Sequence, residues 1–429
     1  MRPGRGLLLG LLAAGVVLGL GYRWMGSRAY ADAVALQLAD RCAEAIPRFQ
    51  QVVDWYGLFP DLAQPAKQQI DLCEQLVRAD TARAAARWRD AVRGYQAAAR
   101  AAAGQPFEAV LLRRLADIQP EYRSAAEKAY ADAVAVQLAG RCLDSFSLFQ
   151  TVIELYNDFS DLTQSARQQI DICAQVVRAD NARNSGRWQE AVRGYQAAAR
   201  AAAGQPAEVV PLGRLADLQA IAIADSTTLD ACRGIGILDA FRAEGVSLSR
   251  QAQAAIPTAI FQCGRASDNA NNYRLAADMY ARLLTDYPSH PNAREARRLR
   301  ADAEVNDAFS KSTPRHSSLQ PSGPGRAGVV TLEIVNDSPE PLEFFFSGPT
   351  SDVIVLGPCP TCQTYPLFGP LYCPNRGPRQ IITLPPGTYR VLARSRGGTS
   401  VTSHHAVWDL ASGMWYTNCY VINVWRFGG

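Results

Sequence analysis

Ten cysteines and four histidines are the residues through which this chain could do chemistry. Six cysteines form three equally spaced pairs: Cys42 with Cys73, Cys142 with Cys173, and Cys232 with Cys263, each 31 positions apart. Cys359, Cys362, Cys373 and Cys419 cluster near the end, and no cysteine is left over. The "CPTC" stretch fits three chemistries: structural disulfides, one knuckle of a four-thiolate zinc site, or thiol–disulfide exchange. A second knuckle is missing, because Cys373 and Cys419 are far apart, and no thioredoxin-like strand–helix pattern surrounds "CPTC". Structural disulfides are therefore preferred, and Cys359–Cys362 with Cys373–Cys419 is one of three pairings. The histidines say less. His290 falls in a helix–helix loop and His316 in a Ser/Pro/Gly-rich stretch. His404 and His405 are neighbours in a strand-rich region, where consecutive side chains face opposite ways. There is no Gly-x-Ser-x-Gly, Walker loop or His-Glu-x-x-His. The chain is thus not expected to be an enzyme, and no cofactor is implied. A net charge of +4 over 429 residues is too small for a dedicated nucleic-acid binder.

The elements that must hold these residues are repeated. "GYQAAARAAAGQP" at 94–106 returns unchanged at 194–206, and residues 29–119 match 129–219 without a gap. Such self-similarity signals a stacked architecture. The apolar period is helical: Ala85, Trp88, Ala91, Val92, Tyr95, Ala98 and Ala99 recur at three- and four-residue steps. Gly104 and Pro106 then stop the helix. The motif has no glycine run and no following lysine, so it is not a phosphate loop.

This pattern resembles the tetratricopeptide repeat, a helix-pair family. Trp88, Ala91, Tyr95 and Ala99 stand in its signature positions, as do Trp188, Ala191, Tyr195 and Ala199, and then Tyr273, Ala277, Tyr280, Leu284 and Pro288. Pro47 and Pro257 depart from the pattern and should shift helices locally. The resemblance covers most of 29–305 and implies a helical solenoid that binds a protein or peptide. In such a hairpin unit, Cys42 would sit by the turn before one helix and Cys73 on the helix packing back on it. The expected bonds are Cys42–Cys73, Cys142–Cys173 and Cys232–Cys263, the alternative being buried thiols. Arg83, Arg87, Arg183 and Arg187 recur on one helical face. They are candidates for a groove that takes acidic peptides, against a solvated face as the plainer reading.

Arg2 and Arg5 precede an apolar run from Gly6 to Tyr22, and Arg23 and Arg28 follow it. Basic residues before an apolar stretch read as an export signal. The run is about long enough to span a bilayer. Ala29-Tyr30-Ala31 is the only small-x-small cleavage candidate, and its counterpart Ala129-Tyr130-Ala131 belongs to a repeat helix. An uncleaved anchor is preferred, with the bulk of the chain extracytoplasmic; cleavage would make the protein secreted. Paired cysteines agree with an oxidising compartment.

Past the repeats, "SKSTPRHSSLQPSGPGRAG" has a linker composition. Then the period becomes two, in "VVTLEIVND", "PLEFFFSGP", "RQIITLPPGTYRVLARS" and "GMWYTNCYVINVW", which indicates a small β-sandwich. "LPPGTYRVLA" resembles segments of immunoglobulin-like bacterial surface modules. Trp408, Trp415, Tyr416, Tyr420 and Trp425 fit core filling better than a sugar platform.

The expected order is a transmembrane anchor over 1–28, helical units over 29–128, 129–224 and 225–308, a flexible linker over 309–328 and a β-sandwich over 329–429. The expected function is a membrane-anchored extracytoplasmic scaffold of the bacterial cell envelope, with a second binding module in the sandwich. Its alternatives are an envelope thiol–disulfide oxidoreductase using "CPTC" and a cell-wall glycan-binding protein.

Overall fold

The computed structural model describes residues 5–311, 315–316, 319–366, 370, 372–396 and 403–424, with side chains from 19 onward except at 315, 316, 366 and 424. The chain divides into two compact units, Met1–Val177 with Ala198–Val210, and Arg178–Ala197 with Pro211–Gly429. Among the described residues the helices are α1 (Arg5–Leu38), α2 (Cys42–Trp55), α3 (Pro60–Ala84), α4 (Trp88–Ala101), α5 (Glu108–Leu138), α6 (Cys142–Leu155), α7 (Ser160–Asn184), α8 (Trp188–Ala201), α9 (Val209–Asp225), α10 (Ala231–Ala243), α11 (Arg250–Asn269), α12 (Tyr273–Asp286) and α13 (Ala293–Lys311). Pro47 and Pro257 lie inside α2 and α11, which continue through them.

In the first unit α1 to α6 pack each against the next, around Phe49, Val52, Tyr95, Leu111 and Tyr122. Tyr95 is fully buried and donates its hydroxyl to Asp80 at 2.5 Å; Tyr195 does the same to Asp180. Each copy of the repeated motif stops its helix at a glycine in the left-handed backbone region, which favours glycine, Gly104 at φ 77° and Gly204 at φ 73°. Their N–H groups donate to Glu108 and Glu208, which open the next helical segments. The structural turn therefore lies at 104–107. The expected boundary between 128 and 129 falls in the middle of α5, and the one between 224 and 225 falls at the last residue of α9. Identity between copies fixes a period but leaves its phase open.

The match between copies also starts earlier than residue 29. Tyr22 donates its hydroxyl to the Trp55 carbonyl and Tyr122 donates to that of Leu155; Arg23 pairs with Asp61 and Arg123 with Asp161. Ala29 and Tyr30 pack into the core beside Ala33, so the cleavage candidate is part of a folded helix. Most of the apolar run, residues 6–18, has side chains outside the described residues. Among the described residues no helix is long and apolar enough to cross a membrane.

In the second unit α10 to α13 continue the pattern, and strands follow. These are β1 (Arg315–His316), β2 (Gly323–Pro324), β3 (Val330–Asn336), β4 (Leu342–Ser347), β5 (Asp352–Leu356), β6 (Tyr365–Pro366), β7 (Arg379–Leu384), β8 (Gly387–Ser395), β9 (His404–Leu410), β10 (Met414–Tyr420) and β11 (Asn423–Val424). One sheet runs β1-β9-β8-β4-β5, the other β2-β10-β3-β7, and β11 pairs with β6. The sheets close on Leu332, Ile334, Phe344, Phe346, Tyr389, Val391, Trp408 and Tyr416.

The linker expectation needs correction. Backbone pairing takes β1 into one sheet and β2 into the other, and Ser322 donates its N–H to the Trp415 carbonyl. The sandwich is not a tethered body, because α13 covers the outer face of its first sheet. Ala301 and Val305 pack on Phe345, Val353 and Leu392, with Ala308 and Phe309 at the edge. Three consecutive phenylalanines make sense on these terms: Phe344 and Phe346 face the sandwich core while Phe345 faces α13.

Candidate functional site: an arginine-edged groove and two closed sites

The disulfides set the frame for any site. Cys42 opens α2 and bonds Cys73 in the middle of α3, with Cα atoms 5.0 Å apart. Cys142 of α6 bonds Cys173 of α7, and Cys232 of α10 bonds Cys263 of α11, at 5.1 and 4.5 Å. Each bond therefore ties one helix to the next in the chain, α2 to α3, α6 to α7 and α10 to α11.

Within that frame α3 and α4 form a groove of about 470 Å³, lined by Gln75, Arg78, Ala79, Ala82, Arg87, Asp90, Gly94 and others. Its floor is a close helix crossing. A Cβ added at Gly94 would lie 2.8 Å from the Ala79 Cβ, so only glycine allows this approach. Arg78 and Arg87 edge it. Their ion pairs are loose, 3.8 Å to Glu74 and 4.0 Å to Asp90, and all four side chains are mostly exposed. Such pairs contribute about 0–1 kcal/mol, which leaves both guanidiniums able to exchange partners for an incoming carboxylate. The same crossing recurs in the second unit, where a Cβ at Gly194 would lie 2.8 Å from that of Ala179. Arg178 and Arg187 hold the corresponding positions, and Glu190 replaces Asp90.

The four arginines marked in the sequence do not share one role. Arg87 lines the groove. Arg83 points elsewhere and ties α3 to α5 through Glu121, mostly shielded from water. Arg187 pairs with Glu190 at 2.7 Å, and Arg183 lies beside the hydroxyl of Tyr195. Burial, then the hydrogen bond to Asp80, pushes the Tyr95 hydroxyl up to about 12, so it stays a neutral donor at physiological pH. Sequence reading passed over Arg78 and Gly94. The signal was present, since both recur in the second copy as Arg178 and Gly194.

The "CPTC" cysteines pair as Cys359–Cys362, and Cys373 bonds Cys419, with Cα atoms 5.3 and 5.7 Å apart. Four sulfurs bonded in this way are not zinc ligands. "CPTC" forms a turn closed by the Cys362 N–H donating to the Cys359 carbonyl, and Cys359 is buried. A dithiol used for exchange places its nucleophile where positive charge or a helix N-terminus stabilises the thiolate. Here Cys362 lies 3.9 Å from the Asp337 carboxylate, which would disfavour a thiolate. That carboxylate accepts N–H bonds from Asn375, Arg376 and Gly377 and so locks a loop of the sandwich.

A second closed site joins α13 to the sheet. Glu304 of α13 receives both arms of Arg394 at 2.7 and 2.8 Å, and Glu343 of β4 meets Arg300 at 3.1 Å and Arg394 at 2.9 Å. Both carboxylates are buried. Arg300 and Arg394 also lie over the Phe345 ring, 5.3 and 4.9 Å from its centre. Burial pushes the Glu343 carboxyl up, but Arg394 and Arg300 outweigh it and hold it below the usual range.

No family model and no curated protein matches the chain. Among solved structures it is similar to one described as the crystal structure of the P58(IPK) TPR domain at 2.5 Å. Identity is 14%, 67% of this chain and 80% of that chain are covered, and the TM-score is 0.22.

The aromatic residues of the sandwich do not form a platform among the described residues. Trp408 and Tyr416 are core residues, and Trp408 stacks on Phe344 at 5.7 Å. Trp425 lies outside the described residues. His404 neighbours Tyr420 and His405 neighbours Phe309 on α13, so the two rings face opposite sides.

Proposed function

We propose that the protein is a membrane-anchored extracytoplasmic scaffold. Its TPR-like helical repeats hold a protein or peptide partner, and its β-sandwich adds a second binding module. The observation that carries this reading is the arginine-edged groove over the Gly94–Ala79 crossing, whose residues recur over Gly194–Ala179. The loosely paired Arg78 and Arg87 over an Ala/Gly floor suit an acidic, extended segment, which binds by shape and charge with no chemical step; in the second copy Arg187 would first exchange its 2.7 Å pair with Glu190. The five disulfides support an oxidising compartment. The apolar run of 6–22 supports the anchor. The reading assigns no catalytic residue and no cofactor.

The experiment is site-specific photo-crosslinking from Thr81 and Asn181 in the full chain within its native cell. A discrete adduct is expected, lost when Arg78 and Arg87 or Arg178 and Arg187 become Glu. No adduct from either position in a well-expressed protein would reject the scaffold reading. Mass spectrometry without reduction tests the compartment separately: six free thiols at the 31-residue pairs would reject the extracytoplasmic placement.

A further inference from the structure

The duplication contains its own control. Where two copies share a backbone, positions that differ in polarity mark what one copy does and the other does not. Midway along α1 the first copy exposes Leu20, Trp24 and Met25, at 61, 63 and 49% of their surface. The second copy has Pro120, Ser124 and Ala125 there. At the end of α2 and in the turn after it the first copy exposes Trp55 at 59% and Leu58 at 90%; the second has Leu155, apolar and itself 46% exposed, and Asp158, so polarity changes at 58 while at 55 only the indole is lost. The residues that build the local fold do not change in this way. Tyr22 packs on Tyr56 with ring centres 4.7 Å apart, as Tyr122 packs on Tyr156 at 5.6 Å.

These exposed residues lie at one level of α1. The Tyr22 hydroxyl donates to the Trp55 carbonyl, and Gly26 sits against Tyr56 and Leu62, so the α2–α3 loop abuts α1 at the level of residues 22–26. Leu20 and Trp24 are on the side of α1 away from Tyr22. At that level the helix is thus apolar on its outward side as well as toward the loop. One turn further on, the exposed residues are Ser27, Arg28, Ala31 and Asp32. Arg23, within the apolar level, is paired with Asp61 at 2.6 Å, and the Arg28 guanidinium lies 5.7 Å from the Trp24 ring centre. The helical backbone of α1 from Gly6 to Met25 covers about 29 Å at 1.5 Å per residue, close to the hydrocarbon thickness of a bilayer, about 30 Å.

We infer that Leu20, Trp24, Met25, Trp55 and Leu58 form a collar that sits in the membrane–water interface and seats the first hairpin on a phospholipid surface. This rests on the anchored reading and adds to it a second contact, at the end of α2 and the turn that follows. Indole rings favour the headgroup level, where one side of the ring is apolar and the N–H is wet. Arg28 then stands at the height of the lipid phosphates.

The test uses the full chain reconstituted into phosphatidylcholine–phosphatidylglycerol vesicles. It is read by flotation and by quenching of tryptophan fluorescence with lipids brominated at the top of the acyl chain. Trp24→Ser and Trp55→Leu substitute the residues the second copy already carries at equivalent backbone positions. Each is expected to remove part of the quenching, and the double variant most of it, while Trp88→Phe leaves it unchanged. Leu58→Asp should leave the protein floating but expose Trp55 to aqueous iodide. Floated protein whose quenching is the same in wild type and double variant would overturn the collar and leave the anchor standing. Shielding of these tryptophans that follows protein concentration and not lipid would mean that a second copy covers them, which also overturns it. Failure to float would overturn the anchored reading and the collar together.

Discussion

Two of the places where arginine meets carboxylate in this protein give opposite results. Over the α3–α4 groove, Arg78 and Arg87 reach Glu74 and Asp90 at 3.8 and 4.0 Å in open water. Between α13 and β4–β8, Arg300 and Arg394 grip Glu304 and Glu343 at about 3 Å, with both acids buried. The residue types are the same, so type alone says nothing about role. The deciding quantity is what each charge would lose by releasing its partner. A groove arginine gives up a pair already screened by solvent, which makes it available for binding. A buried arginine would leave an uncompensated charge, which makes it a bolt.

Breaking the bolt should give the largest effect. Glu343→Ala leaves Arg300 and Arg394 sharing the one remaining buried carboxylate, Glu304, and is expected to cost about 3–5 kcal/mol in urea unfolding. A loss under about 1 kcal/mol would erase the distinction between the two places. Gly94→Ala comes next. Its methyl would meet the Ala79 Cβ at 2.8 Å, and prising the helices apart should cost about 1–3 kcal/mol. Gly194→Ala should cost a similar amount, and clearly unequal costs would show that the copies are not equivalent supports.

Acid should weaken the bolt. The folded Glu343 carboxyl lies below its unfolded value, so its contribution is complete above about pH 4.3. That contribution is lost as pH falls through the folded value. Unfolding curves at decreasing pH should show a stability loss in acid that is smaller in Glu343→Gln, and an identical acid limb in both would refute the assignment. The smallest stability effect belongs to the groove. Arg78→Ala with Arg87→Ala should change unfolding by no more than about 0.5 kcal/mol, yet weaken binding of an acidic peptide in titration calorimetry. A large stability loss in that variant would move these arginines to the structural side.

Much of this was legible beforehand. The 31-residue interval named three bonds, because residues that bond one helix to the next keep one spacing while the rest drifts. Helix pairs and alternating strands followed from periods of apolar residues. Three things were misread, each for a physical reason. Repeat identity carries no phase, so the boundary at 128/129 cut α5. Two-residue strands such as β2 are held by backbone bonds that leave no side-chain pattern, so 309–328 looked like a linker. Periodicity places Arg83 on a face but cannot reveal Glu121, which lies 38 residues away. Two clues were passed over in plain view: three successive phenylalanines, which require a strand covered on both sides, and the differences between copies at 24 and 124.

The placement of the helical disulfides has a mechanical consequence. A chain of hairpins pulled at its ends gives up one hairpin at a time, and each released residue lengthens it by about 3.3–3.6 Å. Every bond that ties one helix to the next withholds a 31-residue loop from that extension, roughly 100 Å of contour per bond. Under tension between a fixed end and a bound partner, the molecule would behave as a short-travel coupling whose reach is set by three covalent stops.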